Sequence, residues 1–72
     1  MPNGKVTLAE LRKEAARVFG DDVEVNDGFV TADVCQVRKR TVLFEARGSS
    51  KMKARRRLQV LLKALPEGMV MP

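Results

Sequence analysis

The 72-residue chain has little of what most enzymes use. It contains no histidine, no tryptophan and no tyrosine, and its single cysteine is Cys35. Its carboxylates are scattered, so the pattern assembles neither a nucleophile with a neighbouring base nor a set of metal ligands. The sequence therefore predicts a non-catalytic protein that uses no metal and no cofactor.

A lone cysteine also excludes an intramolecular disulfide, which is typical of a reducing compartment. Cys35 lies in a strand-like run, and we expect it to be buried as a small apolar residue. No stretch reaches the roughly eighteen apolar residues of a membrane span, and residues 1–6 lack the apolar run of a signal peptide. These features predict a cytoplasmic protein with no membrane partner.

What the chain does have is positive charge, and this charge lies in one half. The whole chain carries +5 at pH 7. Residues 1–36 contain four basic and seven acidic side chains, whereas residues 37–72 contain ten basic and two acidic ones. A protein with one basic side suits a polyanionic partner. Simple solubility is the alternative explanation.

The first helix is predicted from its start signal and its periodicity. Thr7 and Glu10 have the spacing of a capping box, and the apolar residues that follow recur at helical spacing over residues 8–19. Gly20 is suited to the left-handed conformation that ends many helices. One face of this helix is expected to be apolar, through Leu8, Leu11, Ala15, Val18 and Phe19.

Short strands are predicted next. Residues 23–25 form a brief apolar alternation, and the turn signal of residues 26–28, Asn-Asp-Gly, predicts a tight hairpin. Period-two patterns predict strands over residues 29–37 and 41–47, separated by a polar break at residues 38–40. In the first of these strands Val30, Ala32 and Val34 alternate with Thr31, Asp33 and Cys35. In the second, Val42, Phe44 and Ala46 share one face, and Leu43 is a misfit on the wetter face.

The second helix is predicted to begin at an N-cap formed by Ser49 or Ser50 and to stop before Pro66. Lys51 and Arg55 border its apolar stripe, so we expect their stems to be buried and their charged ends to reach water. The apolar stripe comprises Ala54, Leu58, Leu61, Leu62 and Leu65.

These elements predict an α+β fold of order αβββα. Short connections between successive strands favour a three-stranded antiparallel sheet, and two amphipathic helices would cover one of its faces. The expected organisation is a flexible amino terminus over residues 1–6, one domain over residues 7–66, and a tail over residues 67–72 in which Met69 and Met71 could fold back onto the core.

The start of the second helix carries an unusual density of cations. The positive end of the helix dipole disfavours cations there by a few tenths to about 1 kcal/mol. A phosphate backbone lying against the helix start would relieve this conflict, because both the free amides and the side chains attract phosphates. A solvated basic face remains the alternative. The cations concerned are Lys51, Lys53, Arg55, Arg56 and Arg57.

Aromatic residues are too few for base stacking. Of three phenylalanines, Phe19 and Phe44 fit the core and only Phe29 suits an exposed ring. Recognition of single strands on an aromatic platform is therefore poorly supported, and recognition of backbone and shape fits better.

Residues 46–55 resemble part of the double-stranded RNA-binding domain, a family that also has one helix, three strands and a second helix. That family shows Gly-x-Gly-x-Ser-Lys-Lys-x-Ala-Lys at this place. The positions that coincide are Gly48, Ser50, Lys51 and Ala54. Arg55 stands in for a lysine, and Met52 occupies the place of the second lysine. The turn of residues 26–28 is shorter than the family's loop between its first two strands.

The resemblance implies that Lys51 and Arg55 grip phosphates across a major groove, with Lys53 replacing the basic side chain lost at Met52. From charge and resemblance together we expect a small nucleic-acid-binding module that contacts duplex RNA or another structured nucleic acid. The residues expected to contact the nucleic acid are Lys51, Lys53, Arg55, Arg56, Arg57, Arg47, Arg38, Lys39 and Arg40.

A protein–protein adaptor or inhibitor, of the kind that a phage or mobile element could encode, is the alternative. Its basic face would dock on an acidic surface of a partner protein. The support for it is that Val60 and Leu43 are apolar residues on faces otherwise expected to be wet.

Overall fold

The computed structural model of the chain describes residues 5–28 and 33–69. The order of elements is helix, three strands, helix, which confirms the predicted α+β class. The elements are α1 (Leu8–Phe19), β1 (Glu24–Asp27), β2 (Val34–Lys39), β3 (Thr41–Arg47) and α2 (Lys51–Lys63).

Helix α1 begins with the predicted capping box. The Thr7 Oγ1 accepts a hydrogen bond from the Glu10 backbone N–H at 3.1 Å, and the Glu10 carboxylate accepts one from the Thr7 N–H at 3.2 Å. Gly20 follows the helix with φ 105° and ψ 166°. Its φ is positive as predicted, but its ψ is extended, so the cap is not left-handed helical. The helix spans Leu8–Phe19, so its predicted bounds are confirmed. They could be predicted because the capping box and the glycine act on neighbouring residues.

The sheet is an antiparallel meander with strand order β1-β2-β3. The predicted tight hairpin at residues 26–28 is wrong, because Asn26 and Asp27 pair with Gln36 and Cys35 within the ladder. Buried Val25 lies opposite buried Val37, and in this register β1 continues through Asn26 and Asp27. Strand β1 therefore ends at Asp27, and β2 begins at Val34.

Cys35 and Val37, both fully buried, belong to the core under the helices. The prediction that Cys35 is buried is confirmed. Since side chains alternate along a strand, Cys35 and not Val34 lies on the core side of β2. The structure begins this strand at Val34, and the predicted strand positions Val30 and Ala32 lie outside the described residues.

A β-bulge in β3 explains the misfit at Leu43. Val37 pairs with Phe44 and Arg38 pairs with Val42, so Leu43 is the extra residue between these pairs. Leu43 is half-buried and packs against the core, whereas Val42 is 45% exposed. Both predicted positions are therefore wrong, because the bulge reverses the alternation that the sequence suggests.

The predicted polar break at residues 38–40 is also wrong in extent. Arg38 and Lys39 belong to β2, and Lys39 pairs with Thr41. Only Arg40 lies between the two strands, with a positive φ of 71°.

Helix α2 starts at the Ser50 cap, whose Oγ accepts a hydrogen bond from the Lys53 N–H at 3.2 Å, and it ends before Pro66. Ala54, Leu58 and Leu62 are fully buried at a spacing of four residues. Leu61 lies beside that row and is 43% exposed, so its predicted burial is wrong. Leu65 is half-buried against the core.

Two long-range contacts show that the helices run in the same direction. The Arg55 guanidinium donates to the Val6 carbonyl at the start of α1 (3.1 Å). At the other end, the Arg17 Nη2 donates to the Leu62 and Leu65 carbonyls, both at 3.1 Å. The shared core with residues of all three strands confirms that both helices cover one face of the sheet.

After α2 the chain returns to α1, where the Gly68 N–H donates to the Arg17 carbonyl at 3.1 Å. Met69 is exposed, so it does not complete the core. Met71 lies outside the described residues.

Candidate nucleic-acid interface

The joint between β3 and α2 has room only for glycine. A Cβ on Gly48 would lie 2.7 Å from the Ala54 nitrogen and 2.8 Å from the Lys53 carbonyl carbon, both backbone atoms. The Gly48 N–H also donates to the Asp33 carbonyl at 3.0 Å, which ties the joint to the start of β2. The first turn of α2 is thereby held against the end of the sheet.

We expect Gly48→Ala to lower the free energy of unfolding by about 1–3 kcal/mol, because backbone must move to admit the methyl group. Urea denaturation followed by circular dichroism measures the change. Ser49→Ala, at the exposed neighbouring position, is the matched control and should change stability little. Equal stability of the Gly48 variant and the control would contradict the close approach.

Five exposed cations surround this joint, and we call them the joint cluster: Arg47, Lys51, Lys53, Arg56 and Arg57. The Arg57 Nη1 lies 3.5 Å from the Arg47 carbonyl oxygen, which brings the strand end and the helix together. No acidic residue occurs between Glu45 and Glu67 in the sequence. Arg47 pairs with the Glu45 carboxylate at 3.0 Å, and the five cations of the joint cluster outnumber the carboxylates near it, so positive charge dominates this surface.

Arg55 points inward instead. Its Nε donates to Asp27 Oδ1 at 3.1 Å and its Nη2 to Asp27 Oδ2 at 2.6 Å. With the further bond to the Val6 carbonyl, this guanidinium joins α2 to β1 and to the start of α1. Hydrogen bonding to Asp27 raises the pKa of Arg55, so it stays charged. The expected water-facing position of its charged end is therefore wrong.

Asp27 is the site residue that sequence reasoning missed, because its place before Gly28 suggested a turn. An arginine bordering an apolar stripe was the available signal, since a guanidinium held near a core needs an acidic partner. The Lys51 Nζ also lies 3.9 Å from Asp27 Oδ2, although the Lys51 side chain is 53% exposed. Asp27 thus offsets part of the charge at the start of α2 from within the protein.

The remaining predicted contacts, Arg38, Lys39 and Arg40, lie at the other end of the sheet. Along the chain they lie four to six residues from Val34, which pairs with Arg47 at the joint, or roughly 13–20 Å away. Lys39 donates to the Phe19 carbonyl at 2.7 Å and lies 3.3 Å from Asp22, so it caps the carboxyl end of α1. Arg38 and Arg40 are exposed. The structure therefore does not bring the nine predicted residues into one site.

Met52 faces the start of α1. It is half-buried against the core, and its Sδ lies 3.2 Å from the Val6 nitrogen, which donates to it. This position therefore serves the packing of the joint and contributes no charge to its surface.

Cys35 is buried in the sheet between Asp27 and Ala46, and it is a poor nucleophile. Burial, with a smaller contribution from the nearby Asp27 carboxylate, raises the pKa of its thiol from 9.0 to about 11. The thiolate that carries cysteine reactivity is therefore scarce at neutral pH.

This shift predicts a pH dependence of stability. Because the thiol ionises more readily in the unfolded chain, its contribution is intact below pH 9.0 and is lost as the pH rises toward about 11. The loss should be about 2–3 kcal/mol, since one pKa unit corresponds to about 1.4 kcal/mol. Urea denaturation of the wild type and of Cys35→Ala from neutral pH to about pH 11 measures it. Identical pH profiles of the two proteins would contradict the assignment.

Comparison with protein-family models, with curated proteins and with solved structures found no match. Within residues 5–28 and 33–69, no group of three or more metal-ligating side chains is positioned to hold an ion. No helix in this described part is long and apolar enough to cross a bilayer.

Proposed function

We propose that this protein is a small nucleic-acid-binding module that contacts the phosphate backbone of duplex RNA, or of a similarly structured nucleic acid, through the joint cluster. The observation that carries the proposal is the concentration of exposed cations on one strand-to-helix joint, on a helix with no acidic residue. Phosphate contacts of this kind supply affinity that does not depend on sequence.

The contacts are assigned to Lys53, Arg56 and Arg57, with Lys51 and Arg47 beside them. Within the protein, Lys51 already forms an ion pair with Asp27, and Arg47 forms one with Glu45. Arg55 acts as a positioning residue, because its bidentate bond to Asp27 occupies its donors and holds the first turns of α2 against β1. This assignment differs from the one implied by the resemblance, in which Arg55 itself grips a phosphate.

Fluorescence anisotropy with labelled duplex RNA, duplex DNA and the separate single strands tests the proposal. At about 50 mM salt we expect low-micromolar or weaker binding to duplex RNA, which falls steeply by about 200 mM salt. Single strands should bind more weakly, because no aromatic platform is available to stack their bases. Absence of duplex binding at low salt would refute the proposal.

A further inference from the structure

The carboxyl-terminal half of α2 exposes apolar side chains to solvent. Val60 is 68% exposed and Leu61 is 43% exposed, and Ala64 is exposed one turn after Val60. We call these three residues the Val60 face. They lie outside the buried row of Ala54, Leu58 and Leu62, so neither the core nor α1 needs them.

The Val60 face is flanked by cations. Arg56 and Arg57 lie one turn before Val60, and Lys63 lies three residues after it. Phosphates gain nothing from aliphatic side chains, so nucleic-acid binding leaves this apolar surface unexplained. A single exposed valine needs no explanation, but adjacent apolar residues framed by charge of one sign are typical of a protein contact.

The cations that flank the Val60 face determine which kind of protein can bind to it. Two copies of α2 placed face to face would bring Arg56, Arg57 and Lys63 against their own counterparts, and like charges across an interface are unfavourable. An acidic partner would instead gain from the same cations. Of the residues from 46 to 66, none is acidic, so this helix has no carboxylate of its own to compete.

We propose that the Val60 face docks an amphipathic helix of another protein, with an aliphatic stripe flanked by Glu or Asp. The stripe would pack on Val60, Leu61 and Ala64, and the flanking carboxylates would pair with Arg56, Arg57 and Lys63. With a rise of about 1.5 Å per residue, Val60 lies roughly 10 Å along the axis from Lys53. Arg56 and Arg57 belong to both surfaces, so substitutions at Val60 and at Lys53 are the ones that separate the Val60 face from the joint cluster.

The test uses a synthetic amphipathic peptide with a leucine stripe bordered by glutamates, and a peptide of the same composition whose stripe is scrambled. Isothermal titration with the full chain should show micromolar binding of the striped peptide and at least tenfold weaker binding of the scrambled one. Val60→Gln should weaken the striped peptide about tenfold without adding charge. Val42→Gln is the matched control, because it removes an exposed valine from the sheet, and it should have no effect.

Equal binding of the two peptides would overturn the proposal, since charge alone would then explain the contact. Absence of binding, or equal losses from Val60→Gln and Val42→Gln, would also overturn it. Thermal melts of both variants verify that each one folds. Titration of the same variants with duplex RNA distinguishes peptide docking from phosphate binding, because Val60→Gln should leave duplex binding unchanged.

Discussion

Replacement of Asp27 by alanine is expected to lower the free energy of unfolding by about 2–3 kcal/mol. The Asp27 and Arg55 side chains are only 18% and 16% exposed, and two hydrogen bonds of 3.1 and 2.6 Å join them. Removing one partner of a buried pair costs about 3–5 kcal/mol, mostly because the other charge is left unpaired. Because both side chains keep some contact with solvent, we expect a loss of free energy at or just below the lower end of that range.

Urea denaturation measures this loss, and Asp22→Ala provides the matched control. Asp22 also pairs with a lysine, Lys39, at 3.3 Å, but its side chain is 69% exposed. A surface pair of that kind contributes at most about 1 kcal/mol. If the Asp22 and Asp27 variants lose the same small amount, Arg55 is not held by Asp27 and its assignment as a positioning residue is wrong.

The second large effect concerns nucleic-acid affinity. Simultaneous substitution of Lys53, Arg56 and Arg57 by glutamine should weaken binding to duplex RNA roughly 100-fold at low salt, because several phosphate contacts are lost together. Fluorescence anisotropy measures the affinity, and a thermal melt verifies the fold. All three side chains are exposed, so the variant should fold normally.

A second triple variant controls for overall charge. Substitution of Arg12, Arg38 and Arg40 by glutamine removes the same charge from exposed positions outside the joint cluster. We expect this variant to lose less than about tenfold in affinity, mainly through the weaker long-range field. Equal losses in the two triple variants would mean that net charge, and not the joint cluster, drives binding.

The two helices could be predicted from the sequence because their signals are local. The Thr7 and Glu10 capping box and the Ser50 cap act on amides three residues away, and Pro66 acts on the turn before it. The glycine at position 48 could likewise be placed at the joint. That this position admits only glycine could not be predicted, because the atoms that would clash with a side chain belong to Lys53 and Ala54 in the packed helix.

What could not be predicted depends on pairing between distant residues. The bulge at Leu43 exists only relative to β2, and the inclusion of Asp27 in β1 follows from the register that aligns Val25 with Val37. The Asp27 to Arg55 bond spans 28 residues, so charge patterning along the chain could not reveal it. The sequence therefore predicted that cations gather at the start of α2, but it placed Arg55 in the wrong orientation and Arg38, Lys39 and Arg40 too near to them.

The central claim, that the joint cluster binds a phosphate backbone, is tested most directly by the salt dependence of duplex RNA binding. Each phosphate contact contributes about −0.9 to the slope of log K against log salt for a B-form duplex. For roughly four contacts we expect a slope near −3 to −4 for the wild type, and a slope at least two units shallower for the variant substituted at Lys53, Arg56 and Arg57. No measurable binding at low salt, or the same slope in both proteins, would contradict the claim.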